Sequence, residues 1–175
     1  MLFILLFILI ILFIIALFSH PKLSPIPYFP TNEKDLPLII KALRLKNNQT
    51  IFDLGAGDGL VIFKAAGQAY QKRLNTKFIA IEINPVLVII LYLHRMFHPN
   101  KKNIKIIWND LFKVTMKKCN KVTIYLYVSP WLLNKIIDRL KTQLKTFSVV
   151  SYMYPIHKMG RGKVIQGINR IYQYN

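Results

Sequence analysis

The run Asp53-Leu54-Gly55-Ala56-Gly57-Asp58-Gly59 constrains this chain more than any other stretch. It follows the β-branched and apolar residues Thr50-Ile51-Phe52 and leads into a helical pattern from Leu60 to Lys72. A strand that passes into a helix through three spaced glycines needs backbone that turns sharply and stays bare, which glycine permits. The chain holds seven acidic residues against 25 Lys and Arg, for a net charge of +18. Four of the seven acids, Asp53, Asp58, Glu82 and Asp110, fall at the ends of runs that read as strands. Open α/β sheets bind ligands outside strand ends, so these scarce carboxylates mark a site.

Strand and helix patterns alternate along the rest of the chain. Thr31 to Leu45 reads as a helix capped by Thr31 or Asn32, and Asn47-Asn48-Gln49 as a turn. Lys77 to Ile83 is a second strand. Asn84-Pro85 then opens a helix that stops near Phe97. Ile104 to Trp108 and Val122 to Val128 are strands three and four, Trp131 to Leu144 is a helix, and Phe147 to Tyr154 is strand five. Lys163 to Gln166 and Arg170 to Tyr174 read as a closing hairpin. The alternation predicts an α/β fold, a doubly wound and mostly parallel sheet. Right-handed crossovers put strands one to three on one side and four onward on the other. Gly55 to Gly59, Glu82, Asp110 and Ser129 then gather at one crevice.

Met1 to Phe18 carry no charge, Gly or Pro. At ~1.5 Å per residue, a helix there approaches a ~30 Å hydrocarbon layer. A cleaved signal peptide fits less well, because no cation precedes Lys22 and Ala16-Leu17-Phe18-Ser19 is a poor cleavage site. The expectation is a single-pass anchor over 1–19, a proline-rich linker over 20–30 and one domain over 31–175. The basic residues after the anchor place that domain on the cytoplasmic side. A lone Cys119 excludes an internal disulfide and reads as a small apolar filler. The positive charge suits an anionic lipid surface or an acidic partner. Lys far outnumbers Arg, which argues against planar phosphate recognition and makes nucleic acid an unlikely partner.

The glycine turn departs from the dinucleotide fingerprint, because position 60 is Leu where a third glycine would stand. Asp58 beside a pyrophosphate would bring like charges together. An acid there suits a ligand with a cationic amine, and S-adenosylmethionine carries an ammonium and a sulfonium. Glu82 is placed to accept hydrogen bonds from ribose hydroxyls. His94 and His98 are four apart on one helix but have no third ligand, so no metal is expected.

On these residues the chain resembles the class I, seven-strand S-adenosylmethionine-dependent methyltransferases. Within that class it looks like the membrane-anchored protein-lysine methyltransferases that act on the adenine nucleotide translocase and the ATP synthase c-subunit, and their prokaryotic relatives. Tyr28-Phe29-Pro30-Thr31, the 53–59 turn, Glu82-Ile83-Asn84-Pro85, Asp110-Leu111-Phe112-Lys113 and the stretch from Cys119 to Pro130 carry the likeness. Leu60 stands where the family usually has Arg, and Phe112 where it usually has Trp. The resemblance implies that Asp53 and the loop Gly55, Gly57, Asp58 and Gly59 hold the methionine end of the cofactor. It implies Glu82 at the ribose, with Asn84 beside it, and Asp110 at the adenine amine. Tyr28 and Thr31 would close over the cofactor.

A methyl transfer to lysine needs an aligned and deprotonated amine, which an apolar pocket favours. The end of strand four and the residues that follow it, Tyr125 to Trp131, are the candidate acceptor pocket. Tyr125 and Tyr127 share one face of the strand, and Ser129, Pro130 and Trp131 follow at the mouth. Tyr127, Ser129 and Pro130 are the candidate acceptor-site residues. The expected function is a membrane-anchored protein-lysine methyltransferase acting on a membrane-associated protein. Methylation of a lipid or quinone, methylation of RNA and a non-enzymatic nucleoside-binding role are the alternatives. RNA is disfavoured because no Asn-Pro-Pro-aromatic sequence follows strand four.

Overall fold

The computed structural model describes residues 1–20, 28–116 and 121–175. Helix α1 spans Leu2–Ser19. After the gap, a 3-10 turn at Glu33–Asp35 leads into α2 (Leu36–Leu43). Then come β1 (Thr50–Leu54), α3 (Leu60–Gln71), β2 (Lys77–Glu82), α4 (Pro85–Phe97), β3 (Ile104–Trp108), β4 (Val122–Leu126), α5 (Pro130–Gln143), β5 (Phe147–Tyr152), β6 (Lys163–Gln166) and β7 (Arg170–Tyr174). Seven strands form one sheet in the order β3-β2-β1-β4-β5-β7-β6. The first five pair in parallel, and the β6–β7 hairpin joins β5 antiparallel. The order reverses between β1 and β4, so a crevice opens where both strands end.

Strand alternation builds two cores. Ile51, Phe78, Ala80, Tyr125 and Val150 face one side, against α2, α3 and α4. Phe52, Leu54, Ile81, Ile124 and Leu126 face the other, against α5. Helix α4 buries Leu87, Val88 and Leu91 and leaves Ile89, Tyr92, Leu93 and Phe97 exposed. Its exposed face is therefore largely apolar too, in keeping with the run from Val86 to Leu93, which reads as apolar on all sides.

Several expectations need correction. Helix α1 is 18 residues long. That is ~27 Å of rise, short of a ~30 Å hydrocarbon layer. Among the described residues no helix is long and apolar enough to cross a membrane. This overturns the single-pass anchor, and with it the cytoplasmic placement of the domain, which rested on that anchor's orientation. The helix read from Thr31 to Leu45 is a 3-10 turn and then a shorter α2. Asn32 caps the turn by accepting from Lys34 N at 3.0 Å, and Arg44 in the left-handed region (φ 49°) ends α2. Strands β4 and β5 each stop two residues early, because the chain leaves the ladder to line the crevice or to turn. Linker residues 21–27 and Cys119 lie outside the described residues.

One carboxylate ties the N-terminal turn to the far edge of the sheet. Asp35 is 1% exposed. It accepts from the Tyr152 hydroxyl (2.7 Å), Ile168 N (2.6 Å) and Asn169 N (2.9 Å). Asn169 Nδ2 also donates to the Tyr152 oxygen at 2.8 Å. Gly167 passes so close that any Cβ there would overlap the Asp35 carboxylate. Burial raises the Asp35 pKa, but the hydrogen bonds from Tyr152, Asn169 and Ile168 outweigh it and hold the carboxyl below its usual range. Replacing Asp35 with Ala leaves those donors unpaired and should cost about 3 kcal/mol in denaturant unfolding. Asp35 stabilises the fold fully above its unfolded pKa of ~3.9, and that stability fades as pH falls through the lower folded value. An Asp35→Ala protein should lack that part of the acid-induced loss, and an unchanged acid limb would remove Asp35 from the account.

Candidate functional site

The crevice is shaped by how β1 and β2 end. Ile81 O accepts from Gly55 N and Ala56 N, both at 2.9 Å, so the glycine turn is stitched to β2 as it leaves the sheet. Glu82 completes the join. Its Oε2 accepts from Gly57 N at 2.8 Å. Its Oε1 accepts from Ile83 N at 2.8 Å and Asn84 N at 2.9 Å. Its carbonyl accepts from Asn109 N at 3.0 Å, which brings the end of β3 alongside. Asn84 Oδ1 caps α4 through Val86 N and Leu87 N. Asp58 Oδ1 accepts from Leu60 N at 3.1 Å at the start of α3.

Gly55, Gly57 and Gly59 all have positive φ, at 85°, 58° and 83°. Their surroundings divide their roles. A Cβ on Gly57 would come 2.7 Å from the Tyr28 ring, so Tyr28 lies directly on the turn. A Cβ on Gly59 would come 2.5 Å from both Leu91 and Phe63. Gly59 is thus required where the turn passes between α3 and α4.

A cavity of about 340 Å³ occupies the crevice. Ten of the residues singled out from the sequence line it: Tyr28, Thr31, Asp53, Gly55, Gly57, Asp58, Glu82, Asn84, Asp110 and Tyr127. Gly59, Ser129 and Pro130 do not. Gly59 is turned into the helix packing. Ser129 and Pro130 are the N-cap and first residue of α5, so their geometry serves the helix start. Trp131, expected at the mouth, does line the cavity, and Phe29, Phe112 and Leu132 face it beside Tyr127. Sequence reasoning also missed Leu87, Asn109 and Val61, whose apolar or turn character reads as ordinary packing. Asn109 alone had a signal, its place next to Asp110.

Four carboxylates therefore surround one hollow in a strongly basic protein. Asp53 is 3% exposed, and burial, reinforced by the charges of Glu82 and Asp58, pushes its pKa to about 8. Burial, then the Asp58 charge beside it, pushes the Tyr28 hydroxyl up to about 12. Tyr125 is buried behind Asp53, with its hydroxyl 3.3 Å from Thr31 Oγ1. At the mouth, Tyr127 packs edge-on against Tyr152, with centroids 4.8 Å apart, and the Lys135 ammonium sits 4.7 Å over the Phe112 ring. His94 and His98 lie away from the cavity. Phe63 packs against both rings, and His98 hydrogen-bonds to Phe63 O and Asn100 N.

The arrangement suits a cationic, hydroxyl-bearing ligand. The Asn84 amide nitrogen is buried with no acceptor among the described residues. The Glu82 Oε2 receives one hydrogen bond among the described residues, so it has a lone pair to spare. Among the described residues Asp53 has no hydrogen-bond donor to offset its burial.

No family model matches the chain. It is 26% identical to the adenine nucleotide translocase lysine N-methyltransferase of Mus musculus over 157 residues, which is 89% of this chain and 65% of the mouse protein. The chain thus spans a little under two thirds of the length of that relative. It is 25% identical to a protein-lysine N-methyltransferase of Saccharolobus islandicus over 81% of this chain and 84% of that one. Among solved structures, an RNA methyltransferase from Salinibacter ruber in complex with S-adenosyl-L-homocysteine matches 83% of this chain and 92% of its own, with a TM-score of 0.70 and 20% identity. The sheet order, the glycine turn and these likenesses agree: the protein has the class I S-adenosylmethionine-dependent methyltransferase fold, and its sequence relatives include protein-lysine methyltransferases.

Proposed function

We propose that this protein transfers a methyl group from S-adenosylmethionine to the side-chain amine of a lysine in a protein substrate. The observation that carries the reading is the division of one cavity into an acidic end and an aromatic mouth. Asp53, Asp58, Glu82 and Asp110 line the first, and Tyr127, Trp131, Phe29 and Phe112 line the second. The likeness to two protein-lysine methyltransferases supports the choice of acceptor.

The residues present fit the cofactor. Glu82 and Asn84 offer an acceptor and an unused buried donor for a ribose. Asp53 and Asp58 offer negative charge to an ammonium and a sulfonium. The bare edge of Gly57 leaves room at the turn, and Tyr28 covers it. Asp110 stands at the end of β3, within reach of the base. The cofactor supplies a methyl bound to a positively charged sulfur.

The chain's own part is positioning and desolvation. The four cavity acids lie on the β1, β2 and β3 side, and β4 runs into Tyr127-Val128-Ser129-Pro130 with no carboxylate. No side chain is therefore placed as a general base at the mouth. An acceptor lysine enclosed by Tyr127, Trp131 and Phe29 loses water, which lowers its pKa and favours the neutral amine. The same rings exclude water from the transfer.

The test is incubation of the protein with methyl-labelled cofactor and fractionated cell extract. Label recovered as methyl-lysine after protein hydrolysis supports the reading. Label confined to nucleic acid would replace it with an RNA methyltransferase, the activity named for the Salinibacter ruber structure. Label in the organic extract would replace it with a lipid or quinone methyltransferase.

Two predictions concern the acids. Replacing Glu82 with Ala removes a charge-assisted acceptor and frees the glycine turn, and should weaken cofactor binding by about 1–3 kcal/mol. Calorimetry that finds unchanged affinity takes Glu82 out of the site. For Asp53, the folded pKa is raised, so the free protein holds the extra proton and loses stability as pH rises from ~4 toward about 8. Asp53→Asn removes that penalty. It should raise the melting temperature of the free protein at pH 8 while weakening the cofactor about tenfold or more, through one lost charge pairing. Affinity for the cofactor in the parent protein should rise between pH 6 and 7.5 and stay flat in the variant.

A further inference from the structure

The opposite end of the sheet holds a second hollow, of about 570 Å³. It lies where β1, β4 and β5 begin and β7 ends. The five residues of β1, roughly 16 Å of strand, separate it from the glycine turn. Among the described residues three ionisable side chains line it, all of them cations: Arg44, Lys46 and Lys121; no carboxylate side chain is among them. The one salt bridge among the described residues, Lys158 to Asp138, is elsewhere. The lining side chains thus carry three positive charges and no negative one, and the hollow stays net positive even with a terminal carboxylate on Asn175, which also lines it.

Its floor is polar and held in place. Gln49, Thr123 and Gln173 are buried there. Gln49 Nε2 donates to Thr123 Oγ1 at 2.8 Å and to Leu43 O at 3.2 Å, and Gln49 Oε1 accepts from Lys46 N at 2.8 Å. Gln173 Nε2 donates to Ala42 O at 2.9 Å. Thr123 Oγ1 accepts from Gln49, which leaves its own O–H as a donor. Arg44 is steadied by donating to Asn175 Oδ1 at 3.3 Å. Arg44 and Lys121 both have positive φ, at 49° and 51°. A non-glycine residue holds that conformation at a cost, and here it brings a cation to each side of the same hollow.

We infer that this hollow binds a compact polyphosphate-class anion, at a site separate from the crevice beside Glu82. Arg44 supplies a planar fork that matches phosphate oxygens, and Lys46 and Lys121 supply point charges. The cations ring one hollow instead of following a groove, which favours a small polyanion over a nucleic-acid strand. The proposal does not depend on the methyl acceptor.

Substitution to glycine gives a clean test. Glycine adopts positive φ without strain, so Arg44→Gly and Lys121→Gly remove charge while keeping the turns. Tripolyphosphate is titrated calorimetrically into the full chain at about 0.15 M salt. The expected result is saturable one-site binding, weakened about tenfold or more in the Arg44→Gly/Lys121→Gly protein. The exposed pair Lys102→Gln/Lys105→Gln, remote from the hollow, should leave binding unchanged. Melting temperatures should confirm that both variants are folded. Absent saturation, or equal weakening by the two pairs, means diffuse charge and overturns the proposal. A single-stranded oligonucleotide that binds more tightly than tripolyphosphate, and loses the same factor in the glycine variant, assigns the surface to nucleic acid and also overturns it.

Discussion

The hydrogen bonds to the Glu82 carboxylate are the constraint on which the site depends. A buried carboxylate is costly unless it is hydrogen-bonded, and this one takes backbone N–H groups from Gly57, Ile83 and Asn84. Two of those donors belong to its own strand end and the third to the turn after β1. The same side chain therefore sets the exit of β2, the start of α4 and the shape of the glycine turn. The sheet order makes this possible, because parallel pairing of β1 with β2 puts Leu54 beside Ile81. With Oε1 filled by two donors and Oε2 by one, the direction in which the carboxylate can still accept is fixed before any ligand arrives.

The acids at 53, 58, 82 and 110 were legible because carboxylates are rare in this chain and strand ends can be read from apolar runs. The positions that do not line the cavity are those where one residue type serves two ends. Gly59 fits the pattern of a ligand-facing glycine, yet Leu91 and Phe63 are what require it to lack a Cβ. Ser129 and Pro130 follow strand four as an acceptor-site motif would, yet start α5. The aromatic mouth was only partly visible: Tyr127 and Trp131 follow from the end of strand four, but Phe29 and Phe112 look the same in sequence whether they pack or line a cavity. Asp35 gave no signal at all. Its partners are 117, 133 and 134 residues away along the chain, and only the closed sheet brings them together. The N-terminal segment was misjudged on length, since apolar character alone does not supply the last few ångströms of a bilayer.

Charge follows a consistent division in this fold. Most of the surface is basic, the crevice at the strand ends is acidic, and the hollow at the strand starts is basic again. Burial, reinforced by the charges of Glu82 and Asp58 around the same cavity, raises the Asp53 pKa to about 8, so the free protein carries a proton there at neutral pH. A cation entering the cavity would displace that proton and relieve the repulsion among the three carboxylates. Stability sacrificed in the empty crevice is then recovered as affinity, which is how a site can hold a cation tightly while the rest of the molecule repels it. The Asp35 cluster supplies the rigidity this requires. It fixes Tyr152, and Tyr152 in turn backs Tyr127 at the mouth. The edge of the sheet farthest from Glu82 thus holds one wall of the same cavity.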